Sequence, residues 1–208
     1  MIAQFTAANP DAARARHKQC QTLAETMTPM VKYCSTEMGN RVCYQSMQVH
    51  GGVGYMKEFN IERLFRDVRI TNIYEGTSQL QVVAAIGKLL NRTLDPLLAE
   101  WQAAEYPADM TPEKATLVEL TDVYQAAVDA LKAQPDRAKV DYYACDLVDQ
   151  AVWLVCSWLL LRDTNTLESK KSVARSYIAS IAPRLRAAAG IVTESNAVPL
   201  DAITALLA

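Results

Sequence analysis

Glycine and proline are scarce in this chain, with seven glycines and eight prolines among 208 residues. So few turn-forming residues argue against an all-β protein with many tight turns and favour helices. The chain also has no internal repeat and no convincing alternation of apolar and polar residues, which is the pattern of a half-buried strand. The sequence therefore predicts an all-α protein.

The chain also has no large excess of positive or negative charge. It contains 21 Lys and Arg residues and 23 Asp and Glu residues, which gives a net charge of −2. Such a balance gives no electrostatic attraction to nucleic acid or to anionic membranes. The most apolar run, residues 151–161, is too short to cross a bilayer. The first residues lack the apolar core of a secretory signal. We therefore expect a cytoplasmic protein that binds neither nucleic acid nor membranes.

Motifs for metal or nucleophilic chemistry are absent. The five cysteines form no Cys-x-x-Cys pair, and His17 and His50 have no partner at a ligand spacing. No Gly-x-Ser-x-Gly occurs, and no Ser or Cys has a recognisable base. We expect reduced thiols and no metal site.

Apolar residues at spacings of three and four predict helices along most of the chain. The predicted helices cover about residues 20–50, 61–70, 78–90, 112–133, 136–162, 166–189 and 199–207. We expect Pro29 to bend the first helix or to mark its first turn, and Gly190 to end the helix that starts near residue 166. The stretch 94–111 holds two prolines and predicts a linker between a domain at 1–93 and a domain at 112–208. Both halves resemble antiparallel helix bundles.

Glu75 is the first candidate for chemistry, because it lies between Tyr74 and Gly76 on a segment that breaks the helical pattern. A carboxylate held against apolar groups becomes more basic, as a general base for a weak C–H acid must be. Gly76 would allow a ligand to approach the backbone. From these local features alone, an acid placed beside a helix start for its interaction with the helix dipole is the better explanation of Glu75.

Three further features have a structural and a functional interpretation. Thr77 is a good N-cap, and the free N–H groups that follow it would also suit a phosphate. Gln79, in the same first turn, either contacts a ligand or faces water. The cluster Gly51-Gly52-Val53-Gly54 ends a helix, or it lets the backbone approach a cofactor closely, although it lacks the spacing of a dinucleotide fingerprint.

Residues 48–81 resemble the C-terminal helical domain of the acyl-CoA dehydrogenases. Two signatures occur in order, Q-x-x-G-G-x-G-Y at 48–55 and I-Y-E-G-T-x-Q at 73–79, with R-D-x-x-I between them. The resemblance extends back to about residue 28 and forward to about residue 91. The remainder resembles the additional C-terminal helical domain of the longer members. This implies an all-α fold, the family's antiparallel C-terminal bundle followed by a second small helical bundle.

The resemblance implies a role for each matching position. Glu75 matches the catalytic base that removes the α-proton of an acyl-CoA thioester, while hydride passes from the β-carbon to N5 of FAD. Gly76 matches a residue whose backbone meets the substrate. Thr77 and Gln79 match positions that touch FAD. Gln48, Gly51 and Gly52 match positions in a segment that reaches the FAD of the adjacent subunit.

The family also implies its partners, which are acyl-CoA, an electron-transfer flavoprotein as electron acceptor, and further copies of the chain in a homodimer or homotetramer. The family's N-terminal helical domain and middle β-domain have no counterpart here, and the first domain lacks the early Arg-containing run. We therefore expect a fragment that neither binds FAD tightly nor turns over substrate alone. The alternative is a non-catalytic helical oligomerisation or interaction module that retains relic motifs.

Overall fold

The computed structural model describes residues 10–194 together with residues 202, 205 and 206, and all regular structure in these residues is helical. The all-α prediction is confirmed. The seven α-helices of the described part are α1 (Pro10–His50), α2 (Asn60–Val68), α3 (Ser78–Leu90), α4 (Asp95–Ala103), α5 (Thr111–Lys132), α6 (Arg137–Asp163) and α7 (Lys170–Glu194). Of the predicted helix at 199–207, only residues 202, 205 and 206 are described, and they are helical.

The chain forms two compact units, residues 1–85 and residues 86–208. The division falls inside α3, so one helix belongs to both units. The predicted domain limits, at 1–93, 94–111 and 112–208, stay a prediction.

Helix α1 is the long element of the first unit and runs for 41 residues through Pro29. Pro29 therefore does not lie in the first turn of the helix. Thr26 and Met30 beside it are 0% and 2% exposed, so this stretch is the buried part of α1. Burial of the neighbours offsets the loss of one backbone hydrogen bond that an interior proline causes.

Most of the predicted apolar stripe of α1 is exposed beyond that stretch. Val31, Met38, Val42 and Val49 keep 52% or more of their surface. The periodicity found the helix correctly, but the described residues of the first unit do not cover its apolar face.

The C-terminal end of α2 packs against the middle of α1. A side chain at Gly39 would lie 3.3 Å from Val68 Cγ2, and Asn40 Nδ2 donates to the Val68 carbonyl at 3.2 Å. Residues Arg69–Asn72 continue α2 as a 3₁₀ helix. This packing fixes the position along α1 at which the segment 73–77 begins.

The second unit is built on α5, α6 and α7, which contact one another and are joined by short connections, so consecutive helices run antiparallel. The Asp136 side chain accepts a hydrogen bond from the Ala138 amide at 2.9 Å and caps α6. Trp158 is fully buried, and its Nε1 donates to Thr121 Oγ1 at 3.2 Å. The largest buried side chains of this core include Leu117, Leu120, Tyr124, Leu131, Tyr143, Leu147 and Trp158.

Residues 94–111, predicted as a linker, contain helix α4. Pro96 lies in its first turn, where the missing N–H of proline has no intrahelical role. Leu98 and Trp101 are 1% and 6% exposed, so α4 is packed. Sequence analysis missed this helix because it took the proline as a break rather than a start.

Helix α7 continues past Gly190 to Glu194, so the predicted end at Gly190 is wrong. Ala188, Ala189 and Val192 on either side of it are 7%, 3% and 0% exposed. Their burial outweighs the cost of an interior glycine, about 1 kcal/mol relative to alanine.

By length and composition, α6 is apolar enough to cross a membrane, and it is the single such helix in the described part of the chain. Its most apolar window is 61% buried within the protein. Packing between α5 and α7 therefore accounts for its apolar composition.

Candidate functional site

The segment 73–77 leaves the 3₁₀ helix and reaches α3 through a left-handed turn. Glu75 has φ of 51° and Gly76 has φ of 95°. A positive φ is rare for a residue with a side chain and is associated with turns and functional sites. Glu75 is therefore off-helix, and α3 begins at Ser78, as the sequence predicts.

The carboxylate of Glu75 is exposed and has no hydrogen bond or ion pair with any residue that the structure describes. Exposed apolar side chains flank it along the chain, with Tyr74 at 50% and Leu80 at 59%. Sequence analysis expected a carboxylate already held against apolar groups. In this chain water still reaches Glu75.

Thr77 caps α3, as predicted, since its Oγ1 accepts a long hydrogen bond of 3.4 Å from the Leu80 amide. Gln79 lies in the first turn and is exposed. Glu75, Gly76, Thr77 and Gln79 are thus brought together at the N-terminus of one helix.

Two side chains that sequence analysis missed hold the carbonyls of the turn. Lys32 Nζ, from the middle of α1, donates to the Gly76 carbonyl at 2.7 Å and lies 5.6 Å from the centroid of the Tyr74 ring. Gln81 Nε2 donates to the Glu75 carbonyl at 3.0 Å and to the Gly76 carbonyl at 3.4 Å.

Glu37, one turn further along α1, holds both flanks of the turn. Its Oε1 accepts from Asn72 Nδ2 at 3.0 Å and from the Ser78 hydroxyl. Nothing in the helical spacing distinguishes Lys32 or Glu37 from the solvated charges of the same helix, so no sequence signal indicates either contact.

The structure gives a different reason for glycine at each position of the cluster that follows α1. Gly54 is buried, and a Cβ there would lie 2.6 Å from His50 Cβ, so packing within the chain accounts for this glycine. Gly51 has φ of 64°, which accounts for it by conformation. A Cβ at Gly52 would meet nothing within 4 Å, so nothing in the described part of the chain requires glycine there.

The structure does not bring Gln48, Gly51 and Gly52 to the turn at Glu75. Lys32 touches Gly76, and Gln48 lies sixteen residues further along the continuous helix α1. At 1.5 Å per residue this separates Gln48 from Lys32 by about 24 Å along the helix axis. Glu37, which accepts from the Ser78 hydroxyl, lies eleven residues before Gln48, or about 16 Å along the axis. The predicted site residues therefore form two groups at different levels of α1.

Metal-ligating side chains do not gather anywhere in the described residues, since no group of three or more His, Cys, Asp and Glu occurs there. None of the five cysteines, all of which the structure describes, forms a disulfide. Burial raises the pKa of the Cys156 thiol, which keeps it protonated and unreactive at neutral pH.

Comparisons with known proteins match both parts of the chain to one family. Residues 2–88 match the model of the acyl-CoA dehydrogenase C-terminal domain, and residues 91–194 match a second model described as acyl-CoA dehydrogenase C terminal.

Among curated relatives, the caffeyl-CoA reductase–Etf complex subunit CarC of Acetobacterium woodii is 46% identical over 63 residues, which are 30% of this chain and 17% of that protein. The mitochondrial short-chain specific acyl-CoA dehydrogenase of Bos taurus is 48% identical over 61 residues, 29% of this chain and 15% of that protein. The chain spans less than a fifth of the length of these relatives.

A crystal structure of an acyl-CoA dehydrogenase complexed with FAD from Bacillus anthracis has the same fold, with a TM-score of 0.64 and 19% identity. The similarity covers 79% of this chain and 32% of that one. Two family models that meet near residue 90, relatives above 40% identity and a shared helical fold agree with the two signatures around the turn. The chain therefore belongs to the acyl-CoA dehydrogenase family.

Proposed function

We propose that this chain is the C-terminal part of a FAD-dependent acyl-CoA dehydrogenase and that Glu75 is its catalytic base. The observation that carries the proposal is the left-handed turn, which presents an exposed and unpaired carboxylate directly before a capped helix N-terminus. A base that must reach a ligand needs this placement, whereas an acid serving only the helix dipole needs no strained backbone.

The proposed reaction removes one hydrogen from each of two neighbouring carbons. Glu75 takes the α-proton of the acyl thioester, and the electron pair of that C–H bond forms the new double bond to the β-carbon. The Gly76 backbone lies beside the thioester. Because Glu75 is exposed here, the loss of water that raises its basicity comes from acyl-CoA and from the protein that covers it in the complete enzyme.

The residues of this chain fit FAD as two partial surfaces. Thr77 and Gln79 offer a hydroxyl, an amide and a helix N-terminus beside the base, which suits a phosphorylated cofactor. Gln48, Gly51 and Gly52 offer exposed backbone with open space above both glycines. FAD supplies the hydride acceptor for the hydrogen that leaves the β-carbon.

The two groups lie at different levels of α1, since Glu37, which accepts from Ser78, and Gln48 are about 16 Å apart along the helix axis, and this separation supports a site shared between copies of the chain. In this arrangement Thr77 and Gln79 contact the FAD of their own subunit, and Gln48, Gly51 and Gly52 contact the FAD of the adjacent one. The enzyme is then at least a homodimer. We propose acyl-CoA as substrate and an electron-transfer flavoprotein as acceptor, in the cytoplasm.

Alone, this chain supplies only part of the proposed acyl-CoA site and part of the proposed FAD site. We therefore propose that the 208-residue chain neither binds FAD tightly nor turns over acyl-CoA. A yellow, flavin-containing preparation of the isolated chain would contradict this part of the proposal.

The test of the catalytic base is the Glu75→Gln variant of the complete enzyme. An amide of the same shape cannot accept the proton, so we expect the rate of flavin reduction by acyl-CoA to fall by about four orders of magnitude or more. Glu105→Gln, an exposed acid in the second unit, is the matched control and keeps the wild-type rate. Full activity of Glu75→Gln would overturn the assignment.

The exposed apolar side chains of the first unit favour one other function, that of an oligomerisation module with relic motifs. Val49, Tyr55 and Val31 keep 86%, 76% and 63% of their surface. The Glu75→Gln variant distinguishes the two functions, because a module that only binds other chains does not need the Glu75 carboxylate and is unaffected by its loss.

A further inference from the structure

The turn at Glu75 does not hold its shape through local preference. A non-glycine residue with φ of 51° is strained, and Gly76 follows it with φ of 95°. Contacts from elsewhere must therefore select this conformation over extended alternatives.

Lys32 supplies the contact from another helix. Its ammonium donates to the Gly76 carbonyl at 2.7 Å, and among the described residues it forms no ion pair. Gln81 donates to the same turn from the helix that directly follows it, whereas Lys32 ties the turn to a different helix, α1. A hydrogen bond from a cation to a carbonyl is stronger than a neutral one, and Lys32 is half-buried, which strengthens it further.

The flanks of the turn are fixed separately by Glu37, which accepts from Asn72 and Ser78. Removing Lys32 would therefore leave the ends of the segment in place and free the carbonyl between them. The effect would be local to residues 73–77, where the carboxylate is presented.

We infer that Lys32 is a positioning residue for Glu75, because its bond to the Gly76 carbonyl fixes the left-handed turn that aims the carboxylate. This inference rests on the proposed role of Glu75 as the base. Lys32 touches neither the reacting carbons nor the carboxylate. It acts through the backbone.

The first test measures residue-resolved amide hydrogen exchange in the full chain. The amides to follow are Tyr74, which donates to the Ile70 carbonyl at 3.1 Å, and Gln81, which donates to the Thr77 carbonyl at 3.0 Å. In Lys32→Met we expect exchange about tenfold faster at these two positions. Lys32→Arg keeps a cationic donor and restores most of the protection.

Lys18→Met is the matched control, since it makes the same change at an exposed position of the same helix. It should leave exchange at Tyr74 and Gln81 unchanged. Unchanged exchange in Lys32→Met would overturn the inference. So would faster exchange throughout α1, because it would mean that Lys32 supports the whole unit rather than the turn.

The second test is kinetic and uses the complete enzyme. A misaimed base slows the chemical step without weakening acyl-CoA binding, so in Lys32→Met we expect kcat to fall about tenfold or more while KM changes by less than about threefold. Lys32→Arg should recover most of kcat. A rise in KM alone, or no recovery with arginine, would overturn the inference.

The two tests separate this inference from the proposed function. If Glu75→Gln keeps full activity, the role of Glu75 fails, while the exchange result still shows whether Lys32 holds the turn. If exchange in Lys32→Met is unchanged, Lys32 does not hold the turn. The Glu75→Gln result still shows whether Glu75 is the catalytic base.

Discussion

At Glu75, backbone conformation and side-chain function are coupled. The left-handed φ costs on the order of 1 kcal/mol for a residue with a Cβ, and the hydrogen bonds to the Glu75 and Gly76 carbonyls offset that cost. Strain of this kind persists where the surroundings impose it, and here the imposed conformation places a carboxylate outside the helix.

Gly76→Ala should disrupt this turn. A Cβ at position 76 would lie 2.7 Å from Gln81 Nε2 on a backbone with φ of 95°. Displacement of Gln81 and the backbone strain together should cost about 1–3 kcal/mol, measured by chemical denaturation. Gly87→Ala, where a Cβ meets nothing within 4 Å and the backbone is helical, should be neutral or slightly stabilising. Equal effects of the two variants would contradict this account of the turn.

The glycine cluster gives a second residue-level prediction. Gly54→Ala should destabilise the first unit by about 1–3 kcal/mol, because the new Cβ would lie 2.6 Å from His50 Cβ and 3.1 Å from the Met47 carbonyl oxygen. Gly52→Ala has open space and should change stability little. Thermal unfolding of both variants is the measurement, and a Gly52→Ala protein less stable than Gly54→Ala would contradict it.

The sequence predicts that Glu75 lies outside a helix, that Thr77 caps α3 and that α3 starts near Ser78, because Gly76 and Thr77 are local signals for a helix start. It does not predict the left-handed turn at Glu75. Sequence analysis missed Lys32 and Glu37 because their partners lie on a distant segment, and a charge on a helix looks the same whether it faces water or a carbonyl. It expected Glu75 against apolar groups, whereas the described residues leave the carboxylate exposed to water.

Among the elements, the attachment of the 3₁₀ helix Ala108–Met110 to α7 depends on Asp109. Lys171 Nζ lies 2.8 Å from Asp109 Oδ1, and Arg175 Nη2 lies 2.9 Å from Oδ2. The hydrogen bond from Lys171 is the main cause that lowers the pKa of Asp109 below its ordinary 3.8, with Arg175 adding to it against some desolvation.

The sign of this shift fixes a pH dependence. A carboxyl whose folded pKa is depressed stabilises the fold above its unfolded pKa, and this stabilisation is lost as the pH falls through the folded value, here below 3.8. In Asp109→Asn we expect a lower free energy of unfolding at neutral pH and a weaker decline in acid. Denaturant titrations from about pH 5 to about pH 2 measure both. Lys171→Met should weaken the acid decline in the same way, and an unaltered decline in both variants would contradict the assignment.

The core of the second unit depends on the bond between α5 and α6. Thr121→Val keeps the volume but leaves the buried Trp158 Nε1 without its acceptor, so we expect a loss of about 1–3 kcal/mol. Thr121→Ser keeps the hydroxyl and should retain the tryptophan fluorescence of the folded wild type. A valine variant as stable as wild type would show that this bond is dispensable.

Helix prediction succeeded where the apolar periodicity was clear, as at α3, α5 and α6, and at α3 the predicted cap at Thr77 agrees with it. It failed at α4 because Pro96, which lies in the first helical turn, was interpreted as a break. It failed at the end of α7 because tertiary burial overrode a local signal, as buried Val192 carries α7 past Gly190.

For the whole molecule, the exposed apolar side chains of the first unit predict self-association. Val49 and Tyr55, near the proposed intersubunit surface, are 86% and 76% exposed. Apolar surface of this kind drives association in water. Size-exclusion chromatography with light scattering should show dimers or larger species, and Val49→Ser should shift the equilibrium toward monomer. A wild-type chain that is monomeric at all concentrations would contradict an exposed interface.

The proposed role of Glu75 consists of one proton transfer, from the α-carbon of the acyl thioester to the carboxylate. An acyl-CoA whose β-carbon carries no hydrogen cannot pass on hydride, so it isolates removal of the α-proton. Incubated with the complete enzyme in D₂O, it should exchange its α-hydrogens for deuterium with the wild type, and exchange should be lost with Glu75→Gln. Equal deuterium uptake with both proteins would show that another group takes the proton and would contradict the account.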